Sequence, residues 1–162
     1  MTIEIAIEDV RWSDAGIESI AEVAVRAALA GAGLSAGAWE VSLLACDDAR
    51  IAELNAGFRG KPSPTNVLSW PSEERGPDRP GDPPYPPDTG GDPELGDIAI
   101  AYETCLREAE ASGRPFADHV RHLLVHGTLH LLGYDHETEA DAARMETLEV
   151  EILATLGVPN PY

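Results

Sequence analysis

The stretch His126-Gly-Thr-Leu-His130-Leu-Leu-Gly133-Tyr-Asp-His136 constrains this 162-residue chain more than any other. His126 and His130 stand at i and i+4, so on a helix both imidazoles leave the same face one turn apart. Gly133 is suited to the left-handed conformation that ends a helix, and the turn it makes brings His136 back toward the same point. Three neutral imidazoles leave the fourth position of a tetrahedral zinc open, as in a catalytic rather than a closed structural site. The plainer reading is an amphipathic helix that happens to be rich in histidine. Against it, all five histidines of the chain (119, 122, 126, 130 and 136) fall within eighteen residues.

The rest of the chain supplies a frame for that helix. Residues 2–9 alternate Ile3, Ile5 and Ile7 with polar neighbours, the period of a half-buried strand. Ser13 and Asp14 open a helix that passes Ile17, Ile20, Val23, Val25 and Leu29 and stops at Gly31-Ala-Gly33. Trp39–Cys46 reads as a second strand. Asp47 or Asp48 caps a short helix, Ala49–Ala56, ended by Gly57. Asn66–Trp70 and Leu95–Ala101 are the third and fourth strands. Helices follow over Glu103–Ser112, from about Asp118 to Leu132, and over Thr138–Leu156. This order predicts a single α+β domain over 1–162, with one mixed four-stranded sheet packed with helices.

Residues 71–94 differ in character, with eight prolines, four glycines and seven acids against two arginines. Proline removes donors and the acids repel one another, so the segment reads as a disordered or mobile surface excursion between two strands. The N-terminus has neither a basic start nor a long apolar run, which predicts no signal peptide, no membrane partner and a cytoplasmic setting. Cys46 and Cys105, two lone cysteines, fit a reduced compartment.

Net charge is −18, which by itself argues against a polyanionic partner. Charge acts locally, however, and Phe58-Arg59-Gly60-Lys61 holds two cations within three residues. On composition alone these are ordinary surface charges. The histidine spacing matches that of the metzincin proteases, yet Gly127 stands where those enzymes carry a glutamate base. A peptidase without it lacks the group that takes a proton from water and delivers it to the leaving amine. Polarising a phosphodiester oxygen needs no such residue at that position.

The 126–136 block resembles the signature of the YbeY endoribonuclease family, bacterial rRNA maturation factors. Leu54-Asn-Ala-Gly-Phe-Arg59-Gly-Lys61, followed by Pro64-Thr-Asn-Val-Leu-Ser69, resembles that family's arginine loop and third strand. Leu95-Gly-Asp-Ile-Ala-Ile100 resembles its fourth strand. The resemblance implies a zinc-dependent, single-strand-specific endoribonuclease in 16S rRNA 3′-end maturation and ribosome quality control. It implies His126, His130 and His136 as ligands of one ion, and Arg59 as the catalytic or RNA-positioning arginine. Implied partners are rRNA, the small ribosomal subunit, and ribosomal proteins or an assembly GTPase. Zinc suits the geometry, although imidazoles also accept nickel, copper or iron. Lys61, His119, His122 and Asp135 stand as candidates for substrate contact or for supporting a ligand. Asp135 serves equally well as a cap for the last helix. Two other readings stay open: an assembly factor whose zinc is mainly structural, and a metal-dependent hydrolase of another substrate.

Overall fold

A computed structural model describes residues 1–34 and 37–162. Strand β1 (Thr2–Ile7) turns Ile3, Ile5 and Ile7 toward the core and leaves Thr2, Glu4 and Ala6 outside. The helix expected from Ser13 is divided in two. A single turn, α1 (Arg11–Asp14), precedes α2 (Ile17–Gly31), and neither Ser13 nor Asp14 caps a helix. Trp12 explains the break. Its ring is fully buried, its indole N–H donates to the Cys46 carbonyl at 2.8 Å, and it packs on Tyr102 and Phe116 with centroids 5.3 and 5.7 Å away. Seating that ring makes the chain change direction before α2, and Gly16 takes the required φ of 78° without a side-chain clash.

Strand β2 (Glu40–Cys46) leads into α3 (Asp48–Arg59), capped by the Asp47 carboxylate, which accepts from the Arg50 N–H at 2.8 Å. The helix does not stop at Gly57, as the sequence pattern suggests, but one turn later at Gly60. Arg59 is therefore its last residue rather than part of a free loop. The remaining elements are β3 (Val67–Pro71), β4 (Glu94–Ala101), α4 (Tyr102–Ser112), α5 (Phe116–Leu131) and α6 (Glu139–Thr155). The sheet order is β1-β2-β4-β3, with β1, β2 and β4 parallel and β3 antiparallel on the edge. This is the expected α+β arrangement on a mixed four-stranded sheet.

Two apolar clusters clasp the sheet. The larger joins α2 and α5 to Val41, Leu43, Ile98 and Ile100; the smaller sets Ile51 of α3 against Leu68, Ala99 and Ala101. Helix α5 is buried along most of its length, so the histidine-bearing element is among the best-packed parts of the molecule. Cys46 and Cys105 are free and buried, and burial pushes the Cys46 thiol up to about 12 and that of Cys105 higher still. Among the described residues no helix is long and apolar enough to cross a membrane.

Between β3 and β4 there is no helix or strand, yet the segment is tied to the helices. Arg75 is only 6% exposed; its guanidinium donates to the carbonyl of Leu131, the last residue of α5, at 2.8 Å and to Ser72 Oγ at 3.1 Å. Further on, the Gly81 N–H donates to Asp141 at 2.8 Å and its carbonyl accepts from Arg144 at 2.7 Å. The turn after α5 lies against this strap. Gly133 has φ 98°, and a Cβ there would sit 2.6 Å from the Arg75 carbonyl carbon and oxygen. Conformation and proximity both demand glycine. Gly133→Ala should therefore cost about 1–3 kcal/mol and lower the melting temperature by roughly 2–10 °C, measured by thermal denaturation of the metal-free protein.

Candidate metal centre

Helix α5 brings the His126 and His130 rings to 4.5 Å between centroids, with their Nε2 atoms 2.9 Å apart. The Gly133 turn delivers His136 to 5.5 Å from His126 and 5.1 Å from His130. One nitrogen from each of the three lies within 4.8 Å of the others. The other ring nitrogens reveal the proton positions. His130 Nδ1 lies 2.9 Å from the Tyr134 carbonyl and His126 Nδ1 bonds the Glu149 carboxylate; neither acceptor has a proton to give, so both Nδ1 atoms donate. Both Nε2 atoms are then bare lone pairs facing each other, a repulsive pairing unless a cation sits between them. Tetrahedral zinc bonds of about 2.0–2.1 Å would hold two such nitrogens about 3.3 Å apart, a few tenths of an ångström from the spacing found. The donor set fits a divalent transition ion. Burial, followed by the nearness of His126 and His136, pushes His130 down to about 4, which keeps that ring neutral and available as a ligand.

Glu149 on α6 was not foreseen, although the sequence carries a sign of it. It stands between Met145 and Ile152 on the buried stripe of an amphipathic helix, where an acid is out of place. The side chain is fully buried and collects three donors: His126 Nδ1, His122 Nε2 at 3.3 Å and the Tyr162 hydroxyl. Burial alone would raise this carboxyl, but the bonds from His122 and His126, with the Tyr162 bond, outweigh it and hold the pKa down to about 2. Tyr162, at the end of the chain, is shifted upward by burial and then by Glu149, and so remains a donor.

Arg114 sets the tautomers behind this network. It donates to Nδ1 of His119 at 3.3 Å and of His122 at 3.5 Å, leaving each Nε2–H to donate onward, His119 to Glu108 at 2.9 Å and His122 to Glu149. His119 is thus a buried structural residue set back from the cleft, whereas His122 lies on its wall with both nitrogens engaged. Asp135 accepts from the backbone N–H of His136 at 2.7 Å and lies 4.0 Å from its ring. The cap of α6 is Thr138, not Asp135.

A cleft of about 1040 Å³ joins these histidines to the end of α3 and to β3. Arg59 lines it and makes no hydrogen bond or ion pair among the described residues, so its guanidinium is free for a ligand. Lys61 is exposed and does not line the cleft. The loop between α3 and β3 is held by Asn55, 3% exposed, whose amide donates to the Ser63 carbonyl at 2.9 Å. Asn66 secures the start of β3 through Glu108 at 3.0 Å. Gly127 faces the sheet, where a Cβ would meet Ile98 at 3.4 Å and Val67 at 3.6 Å.

A family model described as Endoribonuclease YbeY matches residues 2–157. Endoribonuclease YbeY of Dinoroseobacter shibae is 63% identical over 164 residues, covering 99% of this chain and 90% of its own. That of Rhodopseudomonas palustris (strain BisB5) is 46% identical, covering 98% and 80%. The solution structure of TM1509 from Thermotoga maritima superposes with a TM-score of 0.58 at 21% identity, covering 96% of this chain and 92% of that one, which supports the fold.

The shifted groups dictate an acid response. His130 lies below its ordinary 6.5, so as pH falls the unfolded chain takes up that proton first and stability fades between about 6.5 and 4. Glu149, depressed from 4.5 to about 2, contributes fully above 4.5 and loses its contribution as pH falls from there. Melting curves of the metal-free protein should fall steadily from pH 7 to 3, and Glu149→Gln should flatten the part below 4.5. A melting temperature constant across that range would contradict both assignments.

Proposed function

The chain belongs to the YbeY endoribonuclease family, and on that premise we propose that it is a zinc-dependent endoribonuclease acting on single-stranded RNA. Its role would be 16S rRNA 3′-end maturation and ribosome quality control, on the small ribosomal subunit and with ribosomal proteins or an assembly GTPase, as the resemblance implies. The observation that carries the chemical part is the convergence of three imidazoles and one unpaired guanidinium on a single cleft.

His126, His130 and His136 would hold the ion, which supplies Lewis acidity toward a phosphodiester oxygen and toward water. Glu149 keeps the His126 proton on Nδ1, and the Tyr134 carbonyl does the same for His130, so both Nε2 atoms face the cleft as bases. Arg59 can grip a phosphate through two parallel N–H bonds and stabilise the charge that grows on it during cleavage. Gly127 supports phosphodiester over peptide chemistry, since glycine offers no side chain to shuttle a proton to a leaving amine. With a net charge of −18, the protein should bind naked RNA weakly and rely on a partner for placement.

Zinc-loaded protein assayed on single-stranded RNA, with a melting curve for each variant, tests this reading. Arg59→Ala should slow cleavage by about 10²–10³-fold with its melting curve unchanged. Glu149→Gln should weaken zinc binding by about 10–100-fold, read by competition with a chelator. His130→Ala should abolish cleavage, and its failure to fold would assign the ion a structural share. Cleavage that survives in both Arg59→Ala and His130→Ala would mark a contaminating nuclease and defeat the proposal.

A further inference from the structure

We propose that Phe58 and Trp70 form a stacking subsite for one unpaired base of the RNA strand, beside the phosphate that Arg59 holds. This rests on the ribonuclease reading above. Phe58 lies in the last turn of α3 and is 67% exposed, unusual for a large apolar side chain next to a cleft. Its ring sits 4.9 Å from that of Trp70 on the edge strand β3, tilted by 56°. The two rings form a ridge. On one side is the histidine cleft; on the other is an apolar groove of about 510 Å³ that continues over Leu44 and Leu54.

Charge selects which part of a nucleotide suits that ridge. The charged residues of the groove are Glu4 and Asp97, and the cleft wall adds Glu74, Asp78, Asp135 and Glu137. Arg75 also lines the cleft, but it is 6% exposed and its guanidinium is turned to the Leu131 carbonyl. A phosphate is therefore repelled nearly everywhere except at Arg59 and the ion. A base is neutral and has an apolar face. Single-strand binders combine an aromatic platform with a cationic track, and here the track is almost missing. Stacking must therefore supply much of the affinity, and it can engage only a base that is not paired within a duplex. The ridge supplies a structural reason for a single-stranded substrate.

Binding of a 2′-O-methyl single-stranded oligoribonucleotide to the zinc-loaded protein tests the subsite without relying on cleavage. Trp12 and Trp39 are 0% and 3% exposed, so a base-dependent quench of tryptophan fluorescence reports Trp70. The quench should appear with the base-bearing strand and be absent with a duplex or with the same backbone lacking bases. Phe58→Ala and Phe58→Leu should each weaken binding, within about 5- to 150-fold, with unchanged melting and unchanged salt dependence, and Phe58→Trp should restore it. Equal affinity for the abasic strand, wild-type binding by Phe58→Leu, or no binding by the wild type would each overturn the subsite. Normal binding and quench without any cleavage of ordinary RNA would instead defeat the nuclease reading and leave the subsite standing. Unchanged KM in Phe58→Ala alongside normal cleavage would defeat the subsite alone.

Discussion

The buried Glu149 carboxylate holds the site together. An unpaired charge sealed between helices would be too costly to keep, so its environment must provide donors, and those donors are the side chains that the site needs fixed. His126 gives its Nδ1 proton, His122 its Nε2 proton and Tyr162 its hydroxyl. One acid thereby locks a tautomer on α5, ties α6 across it, and draws the end of the chain onto the cleft wall. The strap pins the other end of the same helix, where Arg75 satisfies the Leu131 carbonyl and presses on Gly133. His136 reaches its neighbours because that turn has no freedom to relax.

A protein of charge −18 that acts on a polyanion confines its positive field to a small area. Arg59 is held at the tip of α3 by a helix one turn longer than its glycine pattern suggests, and the loop beyond it is anchored by Asn55. The nearby acids discourage phosphates from settling elsewhere in the cleft. On the proposed reading, weak attraction to bulk RNA and one phosphate held at Arg59 would favour selectivity over affinity.

What was legible in the sequence was local. The i, i+4 pair and the glycine three residues on specify a helix and a turn by backbone geometry alone, and the structure contains both. The alternating strand β1 was readable for the same reason. The break at Gly16 was not, because it follows from Trp12 meeting Cys46, Tyr102 and Phe116, which are distant in the chain. Gly57 reads as a stop only if every glycine is taken to be left-handed, whereas Gly60 is the one with positive φ. Glu149 was visible as an acid on an apolar stripe, but its partner His126 lies twenty-three residues away on another helix. Tyr162 left no periodic trace at all. His119 and His122 look alike on the page, and only the fold separates a buried structural ring from one on the cleft wall.

The claim on which the rest depends is that three imidazoles hold one ion with a position left for substrate or water. X-ray absorption at the zinc edge of the loaded protein measures that directly. The geometry predicts three imidazole nitrogen neighbours at about 2.0–2.1 Å and one exchangeable oxygen. Four non-exchangeable protein ligands, or a first coordination sphere without three imidazoles, would contradict it.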